Sequence, residues 1–173
     1  RCVPTVGITT EKPIIAAVGG WCVGGALVIT MMCDLMVADE TAKFSYPEAR
    51  LAFTGGMIAG LAARIPHKIA MELMMLCRTI DARRAYEVGL INEIAPAGEH
   101  VAQALAMARE LAGFAPLVLH TLKRFVNESV LPPGPAVSMA QTARDLGVVR
   151  HSDDWHEGMA AFREKRSPSY TGK

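Results

Sequence analysis

The chain has 173 residues, of which 51% are hydrophobic and 20% charged, a balance that favours a packed core and argues against a disordered protein. The length is typical of one domain. A formal net charge of +1 gives no reason to expect a nucleic-acid partner.

The first half is predicted to be compact α/β. Short apolar or alternating runs indicate strands at residues 14–18, 35–38, 43–46 and 90–95. Between them, glycine and proline breaks delimit helices at residues 26–32, 57–64, 67–76 and 82–88. We therefore interpret residues 1–95 as an α/β core.

The second half is predicted to be helical, because apolar residues recur there at helical spacing. Pro132-Pro133-Gly134 indicates a turn before a helix that ends near Val149, and a final helix spans about Ser152 to Phe162. Ser152 or Asp153 is its predicted N-cap. Residues 96–173 are thus interpreted as a helical C-terminal region.

The segment Ile14–Cys33 contains 20 residues without a charge, which is long enough to cross a membrane. Two Gly-Gly pairs, Gly19-Gly20 and Gly24-Gly25, would weaken any single helix through this segment. A buried strand, a glycine turn and a buried helix fit the segment better, and we predict no membrane partner.

Four cysteines form no C-x-x-C pair and no zinc-ligand spacing, so no metal site is predicted: Cys2, Cys22, Cys33 and Cys77. The apolar surroundings of Cys22 and Cys33 favour buried, reduced thiols and a reducing, cytoplasmic compartment. The N-terminal residues lack the order of a signal peptide, and the missing initiator Met indicates a start inside a longer reading frame. Surface or capping roles are predicted for five scattered histidines: His67, His100, His120, His151 and His156.

Glycines and one carboxylate remain as candidates for chemistry. A Gly-Gly pair that opens a helix leaves the backbone N–H of Gly25 accessible to a developing anion, although such a pair also simply permits tight packing. Glu48 follows Pro47 and lies among aromatic and aliphatic residues, which suits proton transfer, whereas most carboxylates in loops are solvated. The residues alone leave both alternatives open.

Residues 12–50, KPIIAAVGGWCVGGALVITMMCDLMVADETAKFSYPEAR, resemble the enoyl-CoA hydratase/isomerase (crotonase) family. Further matches are the segment from Ala85 to Ile91 and the tail from Asp153 to Arg166. The resemblance runs from about Lys12 to the C-terminus. It implies a spiral of ββα units with a helical C-terminal trimerisation region, and an N-terminal part of the fold that lies outside this sequence.

The resemblance also implies a site. Family members bind acyl-CoA thioesters and stabilise an enolate between two backbone amides, one of which corresponds to Gly25, with Gly24 beside it at the substrate. Glu48 matches the second of two family glutamates. Phe162 and Lys165 are implied to contact the CoA of a neighbouring subunit in a homotrimer or hexamer. No separate cofactor is implied, because coenzyme A is part of the substrate.

Val28 occupies the position of the first family glutamate and cannot hold water. The resemblance therefore favours an isomerase that shuttles a proton through Glu48 over a hydratase that uses two carboxylates. A hydratase with an altered acid/base set remains an alternative. So does a catalytically silent truncated homologue or assembly partner, because the loop with the second oxyanion amide belongs to the N-terminal part.

Overall fold

The computed structural model describes Pro4 and residues 10–52, 56–131 and 147–173. In chain order the first part contains β1 (Ile15–Val18), β2 (Trp21–Val23), α1 (Gly25–Met31), β3 (Leu35–Asp39), β4 (Lys43–Ser45), two 3-10 helices (Glu48–Leu51 and Met57–Ala63), α2 (His67–Leu76), β5 (Thr79–Asp81), α3 (Ala82–Glu87), β6 (Glu93–Ala95), α4 (His100–Ala112) and α5 (Pro116–Phe125), which continues into a π-helical turn (Val126–Val130). Residues 147–150 are helical, and α6 spans Asp153–Glu164.

The contacts divide the chain into two compact units, residues 1–136 and 137–173. In the first unit α4 packs on β1 and β3, so the predicted helical region begins within the same unit as the sheets. The predicted division after residue 95 stays a prediction.

Two three-stranded sheets form the frame of the first unit. The first has the order β1-β3-β6 and is parallel throughout, and the second has the order β2-β4-β5. In the second sheet β2 and β4 are parallel, whereas β4 and β5 are antiparallel. Strands β1 to β4 thus alternate between the two sheets. Among the described strands, β1 is an edge strand of the first sheet and β2 an edge strand of the second.

The core lies where the helices cover these sheets. Five fully buried side chains come from a helix, a strand of each sheet, a 3-10 helix and α2: Leu27, Val37, Phe44, Leu61 and Leu73. A smaller cluster joins Val37 to Ala95 and Ala104, with Ile15 and Met107 packed against it. Burial of this apolar surface supplies the main driving force for folding.

Several predicted elements differ from the observed ones. Strands β2 and β5 were not predicted, the helix predicted at residues 57–64 is a 3-10 helix over Met57–Ala63, and the last strand is confined to Glu93–Ala95. Polar and apolar residues alternate in β4, yet Phe44 and Ser45 are both buried because β4 is the central strand of its sheet. Cys33 is half buried, whereas Cys22 and Cys77 are buried; Cys2 lies outside the described residues.

The uncharged segment Ile14–Cys33 folds as strand, turn, strand and helix. Within the described part of the chain, no single helix has the length and hydropathy needed to cross a membrane. One pair of helices, His100–Ala112 and Pro116–Val130, reaches that length and composition together, with a bend of 108° between them.

Candidate active site

A glycine turn connects β2 to α1. Gly24 adopts φ 58° and ψ −117°, a conformation that side chains disfavour. Its N–H donates to the Ser45 carbonyl (N···O 3.0 Å), which continues the pairing of β2 with β4, and its carbonyl accepts from the Val28 N–H (3.1 Å). The turn is therefore anchored on both sides of the glycine.

Gly25 is the first residue of α1 and is exposed. A Cβ atom added at Gly25 would meet no atom within 4 Å, so the space beside it is open. The first N–H groups of a helix have no intrahelical acceptor. Among the described residues no acceptor takes the Gly25 N–H, which leaves this amide available to an anionic oxygen.

Glu48 reaches the same turn from the end of β4, the strand that pairs with β2. Pro47 ends the chain segment after β4, and Glu48 opens the first 3-10 helix. The side chain is buried, with 8% of its residue surface exposed. A Cβ atom added to Gly24 would lie 2.5 Å from Glu48 Oε1, so the carboxylate occupies the space that a side chain at Gly24 would need. The glycine makes this approach possible.

One oxygen of this carboxylate is unsatisfied. Glu48 Oε2 is fully buried and has no hydrogen-bond partner among the described residues. An unpaired buried oxygen is costly, by about 1–3 kcal/mol, and such groups are rare in folded proteins. The arrangement leaves a carboxylate oxygen beside the turn with the capacity to accept a proton.

Val28 lies one turn into α1 and is buried. Its side chain has no donor or acceptor, so a second acid/base group is missing at this position. Tyr46, two positions before Glu48 in the chain, is buried at 4% exposure. The residue types thus provide one carboxylate and one open amide at this turn.

A second buried carboxylate, that of Asp39, ends β3 nearby in the chain. It accepts hydrogen bonds from the Thr41 N–H (3.0 Å) and hydroxyl (2.5 Å) and from the Gly98 N–H (3.0 Å). His100 Nδ1 lies 2.8 Å from Asp39 Oδ2, a close contact whose alignment falls short of a full hydrogen bond. These donors, with the Thr41 hydroxyl the strongest, lower the pKa of Asp39.

The Asp39 cluster includes one of the five histidines. His100 opens α4 beside the buried carboxylate and is half buried, because the chain folds it onto a group 61 positions earlier. A Cβ atom on Gly19 would lie 2.5 Å from its ring. Asp39 lies at the end of β3 and already accepts three hydrogen bonds from within the fold.

Asp34 precedes β3 and fixes the start of β1. Its Oδ2 accepts from the Ile14 N–H and from Lys123 Nζ, both at 2.7 Å. Lys123 also donates to the Lys12 carbonyl (2.7 Å). This lysine bridges α5 to the first strand, a contact that no spacing pattern in the sequence predicts.

The two remaining candidates lie in the second unit. Phe162 is 82% exposed, and Lys165 follows α6 in the left-handed region (φ 53°). The end of the helix is stabilised by the tail, in which Arg166 pairs with Glu157 through two contacts of 2.6 and 2.8 Å. Ser152 is the N-cap and accepts from the Trp155 N–H, as predicted. No group of three or more metal-ligating side chains occurs among the residues that the structure describes.

The family model described as enoyl-CoA hydratase/isomerase matches residues 7–173. Among curated proteins, a probable enoyl-CoA hydratase from Mycobacterium leprae is 37% identical over 168 residues, which cover 93% of this chain and 63% of that protein. A carnitinyl-CoA dehydratase from Proteus mirabilis is 32% identical and is covered over 64% of its length. The chain thus spans a little under two thirds of these relatives.

Solved structures show the same similarity. A carnitinyl-CoA hydratase from Mycobacterium avium superposes with a TM-score of 0.70 at 32% identity, covering 97% of this chain and 66% of that one. An enoyl-CoA hydratase from Mycobacterium tuberculosis gives a TM-score of 0.69 at 33% identity, with 97% and 67% coverage. The two sheets and their helices therefore have the crotonase fold, with a helical C-terminal part.

Proposed function

Because the chain belongs to the enoyl-CoA hydratase/isomerase family, we propose that it catalyses proton transfer on an enoyl-CoA thioester through an enolate. Glu48 is the acid–base group, and the Gly25 N–H stabilises the charge on the thioester oxygen. The observation that carries this proposal is the buried Glu48 carboxylate against Gly24, with Oε2 unpaired.

In the favoured reaction Glu48 removes a proton from C2 of a 3-enoyl-CoA. The electron pair of that C–H bond delocalises onto the thioester oxygen, where a hydrogen bond from Gly25 stabilises it. The protonated Glu48 then returns the proton at C4, which moves the double bond to C2. One carboxylate is enough for this sequence, because the same proton is taken and returned.

Val28 is the reason to favour isomerisation over hydration. Addition of water across a double bond benefits from a second group that orients and deprotonates the water, and a buried valine cannot do so. The names of the relatives favour hydration, since the relatives described above are named hydratases or a dehydratase. Hydratase activity with an altered acid/base set is therefore the second candidate.

The test compares 3-enoyl-CoA and 2-enoyl-CoA as substrates for the chain and three variants. We expect double-bond migration that falls about 10²- to 10⁴-fold in Glu48→Gln, which keeps the shape and removes the base. Leu51→Gln is the matched control, because Leu51 is 69% exposed in the same 3-10 helix. Val28→Glu is expected to add hydration of 2-enoyl-CoA.

Equal migration in wild type and Glu48→Gln would overturn the role of Glu48. Hydration by the wild type without migration would favour the second candidate. If neither reaction occurs and calorimetric titration detects no binding of an acyl-CoA, the chain is a silent homologue or assembly partner. Its coverage of its relatives, 63% to 64%, motivates that outcome.

We also propose that Phe162 and Lys165 contact the CoA part of a substrate held by a neighbouring subunit in a homotrimer or hexamer. The support is the family resemblance of the tail from Asp153 to Arg166, and the 82% exposure of Phe162 leaves its side chain accessible to such a contact. Sedimentation velocity measures the assembly. Lys165→Met is expected to weaken acyl-CoA binding several-fold, and unchanged binding would remove Lys165 from the site.

A further inference from the structure

Strands β2 and β4 lead to the candidate site at one end of their pairing. Gly24 and Gly25 follow β2 directly, and Glu48 lies three residues after the end of β4. The two strands are parallel and have three residues each, so both groups of the site lie beyond the same end. A strand rises about 3.3 Å per residue, and a slip of one residue would move Gly25 by that distance relative to Glu48. The register of β2 on β4 therefore sets the distance between the amide and the carboxylate.

Thr41 holds the opposite end of both strands. Gly20, which precedes β2, donates its N–H to Thr41 Oγ1 (3.2 Å), and its carbonyl accepts from the Lys43 N–H (2.8 Å). The Thr41 hydroxyl donates its own proton to Asp39 Oδ1 (2.5 Å), which leaves a lone pair directed to Gly20. This hydroxyl thus joins the residue before β2 to the turn before β4.

Asp39 and His100 fix that hydroxyl from the other side. Asp39 Oδ2 accepts from the Gly98 N–H (3.0 Å) and lies 2.8 Å from His100 Nδ1, so both carboxylate oxygens are held. A Cβ atom on Gly19 would lie 2.5 Å from the His100 ring and 2.9 Å from Asp39 Oδ2. The ring and the carboxylate therefore pack directly on the connection between β1 and β2, and α4 holds this connection in place through His100.

We propose that Asp39, Thr41 and His100 form a positioning cluster for the reaction. The cluster fixes the register of β2 on β4 at one end, and this register places the Gly25 amide and Glu48 at the other. None of the three residues is assigned a contact with the substrate. The inference rests on the proposed function, because it needs the amide and the carboxylate to act on the same thioester. Loss of the cluster should reduce the rate of the chemical step and leave substrate binding largely intact.

Thr41→Val tests the cluster, because it keeps the shape of the side chain and removes the acceptor of the Gly20 N–H. We expect kcat for double-bond migration in a 3-enoyl-CoA to fall about tenfold, with KM within about twofold of the wild type. Thr41→Ser keeps the hydroxyl and should restore most of the rate. Thr41→Val with the kcat of the wild type would overturn the proposal.

Asp81→Ala is the matched control for stability. Asp81 Oδ1 accepts from the Arg84 N–H (2.8 Å) at the end of β5, which pairs with the side of β4 opposite β2. The variant loses one side-chain acceptor of a backbone N–H in the same sheet, as Thr41→Val does, and it should keep the kcat of the wild type. Urea unfolding shows whether the two variants are destabilised alike. An equal loss of kcat in both would overturn the proposal, because general destabilisation would then explain it.

His100→Ala tests whether the histidine acts through Asp39. The single variant should lower kcat a few-fold. Combined with Thr41→Val, it should cost less than the product of the two single losses, because both side chains act on the same carboxylate. Single losses that multiply would remove His100 from the cluster.

Hydrogen exchange of the Gly24 amide reports the register without catalysis. This N–H donates to the Ser45 carbonyl (3.0 Å) at the end of β2 next to the site. We expect its exchange to be faster in Thr41→Val than in Asp81→Ala, each compared at the same free energy of unfolding by adjusting the urea concentration. Equal exchange rates would overturn the proposal. If the wild type shows no turnover and the Gly24 amide still responds in this way, the proposed function fails and the assignment of the register to the cluster stands.

Discussion

Asp39 and Glu48 are both buried carboxylates, with 2% and 8% of their residue surfaces exposed, yet their surroundings differ. Asp39 receives three hydrogen bonds and the close contact of His100. Glu48 has one oxygen against Gly24 and the other without a partner. Burial alone therefore does not identify a reactive acid. The number of donors around the carboxylate separates a group that stabilises the fold from one that can exchange a proton.

The difference follows from the local chain. Asp39 ends a strand and is followed by Thr41, whose N–H and hydroxyl both reach back to it, and the Gly98 N–H is brought to it across the sheet. Glu48 follows a proline and faces a glycine, residues that present neither a side-chain donor nor, in the case of Pro47, an N–H. The surroundings of Glu48 thus bury its carboxylate and leave Oε2 without a hydrogen-bond donor.

Gly24→Ala tests the contact between the turn and Glu48 and should give the largest effect among substitutions that leave the carboxylate in place. The new Cβ would lie 2.5 Å from Glu48 Oε1, so the carboxylate must move. A displacement of about 1 Å at a catalytic group costs about 100-fold in rate, and we expect that loss in double-bond migration or in C2 proton exchange measured by mass spectrometry in D2O.

Gly20→Ala is the control for backbone strain in this comparison. Gly20 also has a positive φ (66°), but an added Cβ would meet no atom within 4 Å. It should lose about 1–2 kcal/mol of stability and keep its rate. Equal rate losses in the two variants would show that strain in the loop, and not the position of Glu48, controls the reaction.

The pair Asp39→Asn and Glu48→Gln tests the two carboxylates by stability. An Asn side chain keeps an oxygen acceptor on one side only, so if it still accepts from Thr41, its NH2 group faces the Gly98 N–H, which loses its acceptor, and we expect a loss of about 2–3 kcal/mol. Glu48→Gln should stay within about 1 kcal/mol of the wild type, because Oε2 has no partner to lose. Urea unfolding measures both. A larger loss for Glu48→Gln would reverse the assignment of the structural and reactive groups.

The lowered pKa of Asp39 predicts how its contribution to the free energy of unfolding depends on pH. The Thr41 hydroxyl is the first cause of the shift, followed by burial, which opposes it, and by the backbone donors and His100. Because the folded pKa lies below the ordinary value of 3.8, this contribution to the free energy of unfolding is complete above that pH. It is lost as the pH falls through the folded pKa. Unfolding in urea from pH 6 to pH 3 should therefore show a smaller acid loss in Asp39→Asn.

The apolar segments were predictable and the short strands were not. The apolar segments at residues 14–18 and 35–38 predicted β1 and β3 because a fully buried strand needs several consecutive apolar residues. Strands β2 and β5 have three residues each, too few for a period, and they depend on pairing with β4. The 3-10 helix at Met57 has a composition that also suits an α-helix, so the sequence predicted a helix there without its type.

Spacing along the chain does not predict which residues meet at the candidate site. Gly24 and Glu48 are 24 positions apart, and the pairing of β2 with β4 brings them together. The contact of His100 with Asp39 needs β6 beside β3 and the turn that starts α4. A lone histidine in the sequence contains no signal for such a contact. Long-range sheet pairing thus determines which polar residues meet.

Glu157 is a carboxylate with several donors that is not buried, so it tests the number of donors without burial. Substitution of its partner Arg166 should give the smallest of the predicted effects. Its carboxylate is well supplied, like Asp39, by Arg166 and by the Ser169 N–H (2.9 Å), but it lies at the surface of α6. The Arg166 guanidinium is the main cause of the fall in the pKa of Glu157 from 4.5 to about 2. The tail contact should therefore persist at pH 4.5 and weaken toward pH 2. The hydrogen exchange rate of the Ser169 amide, corrected for its intrinsic rate, should rise a few-fold from pH 4.5 to pH 2 in the wild type. It should also rise a few-fold in Arg166→Gln at pH 6. Arg163→Gln on the same helix is the control, and an equal rise in that variant would attribute the effect to the loss of any positive charge near the helix end.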